Sequence, residues 1–349
     1  MLRTSFHLAL LLGISICTWS SSACEPVRQT GSDISLSFEN YRQSAIRCGV
    51  DPAALPYILR ANPEVPLKGT IVLVHGLGGN PLHLRQIGER LQRDGYNVVA
   101  PLLEGHGGDD RMLSKSTFEA WQKDVSYAGE IASHLASPYF IGGHSTGGLL
   151  SALEAASHPG KYTAIFALDP ALNLDGKLSQ KARYACLGSY IATYETDRVV
   201  NLVTGTPHKN LEQHVREIRE ITSRMVEERC GKGFPIPPYN TSYTLAGICA
   251  LTKAVAKIKE VKPQSLPAAL ILQSKDADFY GSHVSREKVL EYVQKIPEHE
   301  IINTDADVHE LMPANCSPGY DSYVSKISSW LGVYSRSAVV QGPGSETTR

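Results

Sequence analysis

The sequence lacks an excess of charge of either sign. Its 34 lysine and arginine residues nearly balance 35 aspartate and glutamate residues, which gives a formal net charge of −1, and no basic stripe is present. Proteins that bind nucleic acids through phosphate contacts need clustered positive charge, so nucleic acid is not an expected partner. After its first segment, the chain also lacks an apolar run long enough to cross a bilayer.

Signatures of common cofactors are missing too. The glycine-rich segment His75-Gly76-Leu77-Gly78-Gly79 has neither the Lys-Ser/Thr pair of a phosphate-binding loop nor the glycine spacing of a dinucleotide-binding turn. The cysteine spacings match no metal site. We therefore expect no cofactor and no metal.

The first segment, Met1–Ala23, has the pattern of a signal peptide. Arg3 precedes an apolar stretch from Leu8 to Ile16, and Ser21-Ser22-Ala23 offers small residues for cleavage. We expect a secreted or periplasmic protein. A retained membrane anchor is one alternative. Lipidation of Cys24 is another, which Ser21 disfavours because leucine is usual at its position in lipoprotein signals.

Cysteine usage agrees with export. Of seven cysteines, Cys17 lies in the leader, which leaves six: Cys24, Cys48, Cys186, Cys230, Cys249 and Cys316. An even number in an exported chain suggests disulfides. We expect Cys24 to pair with Cys48, since both precede the first core strand. Buried free thiols are the alternative.

From about residue 70, predicted strands and helices alternate, which is typical of a parallel sheet covered on both faces. The predicted strands are Thr70–Val74, Tyr96–Ala100, Tyr139–Ile141, Ala164–Leu168, Ala268–Gln273 and Glu300–Asn303. The predicted helices are Pro81–Arg93, Phe118–Leu135, Leu149–Ser157 and Tyr320–Leu331. The fold class is therefore α/β.

The alternation stops between residues 174 and 263. Apolar residues there recur at spacings of three and four, which predicts an amphipathic helix over Leu211–Arg229. We interpret 174–263 as a helical cap inserted between core segments 69–173 and 264–334. An N-terminal extension covers 24–68, and the small, polar residues 335–349 are expected to form a disordered tail.

The most informative motif is Gly143-His144-Ser145-Thr146-Gly147. It lies between a predicted strand and a predicted helix, as a nucleophile elbow does, where a sharp turn exposes the serine hydroxyl. A serine needs a base to accept its proton and an acid to orient that base. The sequence therefore predicts Ser145 as a nucleophile, and a base and an acid are expected downstream.

Both partners have candidates just after predicted strands. Asp276 follows Ala268–Gln273, and Asp278 is the alternative acid two residues on; His309 lies in the loop after Glu300–Asn303. The order serine, acid, histidine is that of sheet-based hydrolases. For the developing oxyanion, the backbone N–H groups of Leu77 and Thr146 are the expected donors. His75, His106 and His144 are interpreted as loop-structuring residues.

Together these motifs resemble the α/β-hydrolase superfamily, in particular its monoacylglycerol lipases, lysophospholipases and carboxylesterases. The matching segments are Val74-His-Gly-Leu-Gly, Gly95-Tyr-Asn-Val-Val-Ala-Pro, Gly105-His-Gly, Gly142-Gly-His-Ser-Thr-Gly-Gly, the Asp276 loop and His309. The resemblance implies an α/β-hydrolase fold with a mostly parallel sheet and a cap that shapes an acyl pocket. Thr146 departs from the methionine or glutamine common after the nucleophile, and residues 24–68 have no recognised counterpart.

The expected function is hydrolysis of carboxylic esters, with a small-molecule ester or lipid as substrate, through an acyl-enzyme. Thioesterase or amidase chemistry by the same triad is an alternative, and a non-catalytic binding protein on this fold is another. Peripheral contact of the cap with a lipid surface is a further hypothesis. The acyl chain and the leaving group stay open.

Overall fold

The computed structural model describes residues 26–108, 110–174, 186, 227, 244–274, 284–304 and 319–340. Asp276, Asp278, His309 and Cys24 lie outside these residues, as do most of the predicted cap and, apart from residue 227, the predicted helix Leu211–Arg229. Within the described part, no helix is long and apolar enough to cross a membrane.

A seven-stranded sheet forms the centre of the described structure, with the strand order β1-β3-β2-β4-β5-β6-β7. Its strands are β1 (Tyr57–Leu59), β2 (Gly69–Val74), β3 (Tyr96–Ala100), β4 (Tyr139–His144), β5 (Ala164–Leu168), β6 (Ala268–Ser274) and β7 (His299–Thr304). The edge strand β1 pairs with β3 in antiparallel orientation, and the remaining pairs are parallel. The predicted parallel sheet is confirmed.

Helices cover both faces of this sheet. In chain order they are α1 (Ile34–Arg47), α2 (Arg85–Arg93), α3 (Asp110–Leu113), α4 (Phe118–Ser133), α5 (Thr146–Ser157), α6 (Leu245–Ile258), α7 (Arg286–Val293) and α8 (Tyr320–Val340). Short 3₁₀ turns occupy Pro52–Ala54, Pro81–Leu84 and Pro263–Ser265. The last helix continues past Leu331, where the sequence pattern placed its end.

The alternation of side chains along the strands divides the core in two. On β2, Val72 and Val74 join a cluster with the helices α1, α4, α5, α6 and α7, whereas Ile71 and Leu73 join a cluster with α2 and α8. Successive side chains of a strand point to opposite faces, so a strand covered on both faces has no position that faces solvent. All six residues of β2 are buried, as this arrangement requires.

The N-terminal extension is an integral part of the core. Helix α1 starts at a capping aspartate, Asp33, whose side chain accepts a hydrogen bond from the N–H of Leu36. Its buried side chains include Phe38 and Tyr41, and the Tyr41 hydroxyl donates to the carbonyl of Leu102 just after β3. The sequence pattern did not predict this helix.

One disulfide joins Cys186 to Cys249 on α6. Cys48 at the end of α1 is also disulfide-bonded, and its partner lies outside the described residues. Helix α6 falls within the range predicted for the cap, yet it packs against α4 and α5 and buries Ala250, Ala254 and Ile258 in the core. This disulfide therefore ties residue 186 to a helix fixed beside α5.

Candidate active site at the carboxyl edge of the sheet

Ser145 occupies the sharp turn between β4 and α5. Its backbone has φ +50° and ψ −115°, a left-handed conformation that non-glycine residues rarely adopt. The hydroxyl of Ser145 does not cap its own helix, although serine is a common capping residue. Strain of this kind persists only where the surrounding structure enforces it, and it is concentrated at functional sites.

The two glycines of the motif allow this turn to approach β2. A Cβ atom on Gly143 would lie 2.3 Å from the carbonyl oxygen of Val74, and one on Gly147 would lie 2.0 Å from the same oxygen. No side chain fits at either position. The turn is also held by hydrogen bonds, since the N–H of Ser145 donates to Leu168 O at 2.9 Å and its carbonyl accepts from Ala171 N at 3.0 Å.

The predicted oxyanion loop lies directly against the elbow. A Cβ atom on Gly76 would be 2.8 Å from the ring of His144, so the backbone of the loop touches the residue before the nucleophile. Leu77 is half-buried and packs on the core, and Thr146 is buried at the first position of α5. The N-terminus of a helix carries free N–H groups and partial positive charge, which favour a developing anion.

His75 fixes the conformation of this loop. Its Nε2 accepts a hydrogen bond from the N–H of Leu103 at 3.0 Å, so Nδ1 carries the proton and donates to the carbonyl of Gly76 at 2.9 Å. Complete burial, together with the nearby His106, lowers the pKa of His75 well below its usual value. The neutral ring therefore joins the loops after β2 and β3, as expected of a structural histidine.

The loop after β3 packs beside it. Glu104 accepts hydrogen bonds at its carbonyl from Ser116 Oγ and Trp121 Nε1, at 2.7 and 3.0 Å. The ring of His106 packs at an angle to the rings of His75 and Trp121, and burial lowers the pKa of His106 to about 4. His106 is thus also a structural residue in the described geometry.

A buried ion pair anchors this second loop to the N-terminal segment. Arg28 Nε donates to Asp124 Oδ1 at 2.7 Å, and the backbone N–H of Glu104 donates to Asp124 Oδ2 at 2.7 Å. Burial raises the pKa of Asp124 to about 7, against the opposing effect of Arg28. Neither Arg28 nor Asp124 was predicted to matter, and no sequence motif marks the pair.

The strands that lead to the predicted acid and base are the second and third strands from β4 in the parallel sheet, so their carboxyl ends lie at the same edge as the elbow. Ser274, the last residue of β6, pairs with Thr304, the last residue of β7. Asp276 follows Ser274 by two positions in the sequence, and His309 follows Thr304 by five. The structure thus brings together Ser145, Thr146 and the Leu77 loop, while Asp276, Asp278 and His309 lie outside its described residues.

Comparison with known proteins agrees with this architecture. The family described as "Serine aminopeptidase, S33" matches residues 65–235, a stretch that holds the oxyanion loop and the elbow but ends before residues 276 and 309. A thermostable monoacylglycerol lipase of Bacillus sp. (strain H-257) is 24% identical over 218 residues, which are 58% of this chain and 87% of that protein. Lipase 1 of Psychrobacter immobilis is 31% identical over 101 residues, which span 29% of this chain and 31% of the lipase.

A solved structure has the same architecture. It comes from a study of two metagenome-derived lipolytic enzymes, LipS and LipT, and aligns with a TM-score of 0.58 at 19% identity, covering 81% of this chain and 98% of its own. The sheet order, the strained serine between β4 and α5 and the flanking helices define an α/β-hydrolase fold. The chain therefore has the α/β-hydrolase fold of the lipases and esterases that it resembles.

Proposed function

We propose that this protein is a serine hydrolase of carboxylic esters with Ser145 as its nucleophile. The observation that carries the proposal is the strained backbone of Ser145 at the start of α5, between two glycines that admit no side chain. A conformation that costs stability and leaves the hydroxyl unused for capping is explained by a role in chemistry.

In the proposed mechanism, His309 accepts the proton of Ser145 as the hydroxyl attacks the ester carbonyl. Asp276 orients His309 and stabilises its charge, and the N–H groups of Leu77 and Thr146 hold the oxyanion. His309 then returns the proton to the leaving alcohol. Water activated by the same histidine hydrolyses the acyl-enzyme, and no step requires a cofactor.

For the substrate, we propose a lipid ester such as a monoacylglycerol. This rests on the relative named as a monoacylglycerol lipase, of which the matching residues cover 87%. We further propose that the cap contacts a lipid surface and that the protein is exported. The disulfides at Cys186, Cys249 and Cys48 support export, because disulfides persist in oxidising compartments.

Amide hydrolysis is the second candidate, favoured by the description of the matching family as a serine aminopeptidase. The same triad serves both reactions, so the substrate decides between them. A panel of p-nitrophenyl esters from acetate to palmitate, a monoacylglycerol and aminoacyl p-nitroanilides separates the candidates. We expect ester hydrolysis to dominate; faster cleavage of the anilides would favour the aminopeptidase instead.

The nucleophile is tested by labelling with a fluorophosphonate followed by mass mapping of the modified peptide. We expect the label on Ser145, and we expect Ser145→Ala and His309→Ala each to lose several orders of magnitude in kcat. Asp276→Asn should cost roughly 10⁴-fold, by analogy with triads on other folds, and Asp278→Asn far less. Undiminished esterase activity in Ser145→Ala would overturn the proposal.

A further inference from the structure

A second non-glycine residue with a left-handed backbone lies one strand away from the nucleophile. Asp169 follows β5 directly and has φ +40°, and among the described residues it shares this positive φ only with Ser145. Its side chain is buried at 5% exposure. Backbone strain and burial of a carboxylate both cost stability, so contacts of Asp169 must compensate for them.

The compensating contacts of Asp169 are hydrogen bonds to the end of β6. Its carboxylate accepts two hydrogen bonds from Ser274, from the N–H at 2.8 Å and from the hydroxyl at 2.5 Å. Its own N–H donates to the carbonyl of Leu272 at 2.9 Å. Asp169 therefore holds the end of β6 through both its backbone and its side chain.

The same residue is connected to the elbow. Leu168, its neighbour in the sequence, accepts the hydrogen bond from the N–H of Ser145 at 2.9 Å, and Leu168 is paired with Leu272 in the sheet. The backbone pairing of β5 with β6 ends at Leu168 and Leu272. Beyond it, side-chain hydrogen bonds between the carboxylate of Asp169 and Ser274 connect the two chain segments. A continuous set of hydrogen bonds thus runs from the nucleophile to the strand end that precedes Asp276.

We propose that Asp169 is a positioning residue that fixes the end of β6, the strand that precedes the predicted acid, relative to the nucleophile. The inference rests on the proposed function. A carboxylate suits this task because its two oxygens accept from the N–H and the O–H of Ser274 at once. Displacement of a catalytic group by about 1 Å costs roughly 100-fold in rate, so a tie between these two strand ends has kinetic consequences.

The decisive variants are Asp169→Ala, Asp169→Asn and Ser274→Ala. Alanine removes both side-chain bonds to Ser274. Asparagine keeps its oxygen for the N–H of Ser274 and offers its amide to the hydroxyl, so it preserves the tie without the charge. Glu154→Ala is the matched control, because Glu154 is also a carboxylate at 5% exposure and accepts from two hydroxyls, those of Ser126 and Tyr162, far along α5 from the elbow.

We expect Asp169→Ala to lose about 100-fold in kcat with KM changed by less than about threefold. Asp169→Asn and Ser274→Ala should lose only a few-fold. The acidic limb of the kcat/KM profile should move to lower pH in Asp169→Ala, because a displaced acid supports the imidazolium of His309 less well. Glu154→Ala should lower the thermal midpoint and leave the profile in place.

Each other outcome overturns a distinct claim. Absence of fluorophosphonate label at Ser145 in the wild-type protein overturns the proposed function, whatever the Asp169 variants do. With the label present, an Asp169→Ala kcat and profile like those of Glu154→Ala overturn the positioning role. If Asp169→Asn loses as much as alanine while Asp276→Asn stays active, Asp169 is the triad acid and not a positioning residue. Should Asp169→Ala fail to fold, Ser274→Ala decides: a few-fold loss of kcat with the acidic limb moved to lower pH supports the positioning role, and a kcat and profile like those of Glu154→Ala overturn it.

Discussion

Two neighbouring loops at the carboxyl edge of the sheet are held by different forces. The elbow after β4 is fixed by close packing of backbone on backbone, with Gly143 and Gly147 against the carbonyl of Val74. The loop after β3 is fixed by charge, through Asp124 and the arginine that reaches it from the N-terminal segment. Packing does not respond to pH, whereas a buried ion pair does. The loop that carries the nucleophile has the pH-independent support.

The largest effect is expected from breaking the packing. Gly147→Ala places a Cβ where the Val74 oxygen lies 2.0 Å away, so the turn or β2 must move. We expect a loss of about 3 kcal/mol or more in the free energy of unfolding, measured in urea. Gly160→Ala is the control, because Gly160 has φ +81° with no atom within 4 Å of the added Cβ, and it should cost only about 1 kcal/mol. Equal costs at the two sites would contradict a steric explanation.

Breaking the ion pair should have a smaller effect that depends on pH. Arg28→Met leaves the buried Asp124 carboxylate without its cation, which should cost about 3 kcal/mol at about pH 8.5. The pKa of Asp124, about 7, is above the unfolded value, so its contribution to stability falls as pH rises from about 4 to about 7. Losing Arg28 raises this pKa further, and the cost of the substitution should therefore shrink at about pH 5.5.

The matched control for Arg28 is Lys257→Met, which breaks an exposed pair with Glu260 at 2.9 Å. An exposed pair contributes at most about 1 kcal/mol, and we expect no marked pH dependence. Denaturation curves at the two pH values measure both variants. A cost for Arg28→Met that is the same at both pH values would show that Asp124 does not titrate with the pair.

The smallest effect concerns the strain at the nucleophile itself. Both Ser145→Gly and Ser145→Ala remove the hydroxyl, but only glycine adopts φ +50° without strain. We expect the glycine variant to be more stable than the alanine variant by about 1 kcal/mol. Calorimetry on the two inactive proteins measures the difference. Equal midpoints would mean that the packing around the elbow, not the backbone of residue 145, carries the strain.

The sequence predicted the strands well where β-branched and aromatic residues fill buried positions. Tyr96–Ala100 and Ala164–Leu168 have the predicted bounds. Strand β4 extends to His144, beyond the predicted end at Ile141. The prediction stopped short because Gly142 and Gly143 have little strand preference; glycine at these positions serves the close approach of neighbouring groups. A Cβ on Gly142 would lie 2.5 Å from the ring of Phe166. Packing of this kind is decided by tertiary structure and leaves no local pattern.

The N-terminal elements were missed for two different reasons. Helix α1 does carry a periodic signal, since its buried Ile34, Phe38, Tyr41 and Ala45 are spaced by four, three and four. It lies in the extension 24–68, where no motif of the resembled family marks it. Strand β1 has only three residues, Tyr57–Leu59, which is too short for a strand period to emerge.

Of the site, the sequence predicted the elbow, and the acid and base at Asp276 and His309 stay predictions. Asp169 satisfies the rule that selected Asp276, since it too lies just after a strand. What the sequence could not reveal is the register that sets Leu168 opposite Leu272 and so brings Ser274 within reach. Contacts between strands separated by about a hundred residues depend on the assembled sheet.

The contact between Arg28 and the buried Asp124 indicates that the N-terminal segment is part of the unit that folds. The family match starts at residue 65, and a polypeptide cut there would lack α1, the edge strand β1 and the cation that faces Asp124. It would expose the apolar surface that α1 covers and keep an uncompensated buried acid. We therefore expect that the segment matched by the family model does not fold by itself, and that expression boundaries for this protein should begin before Arg28.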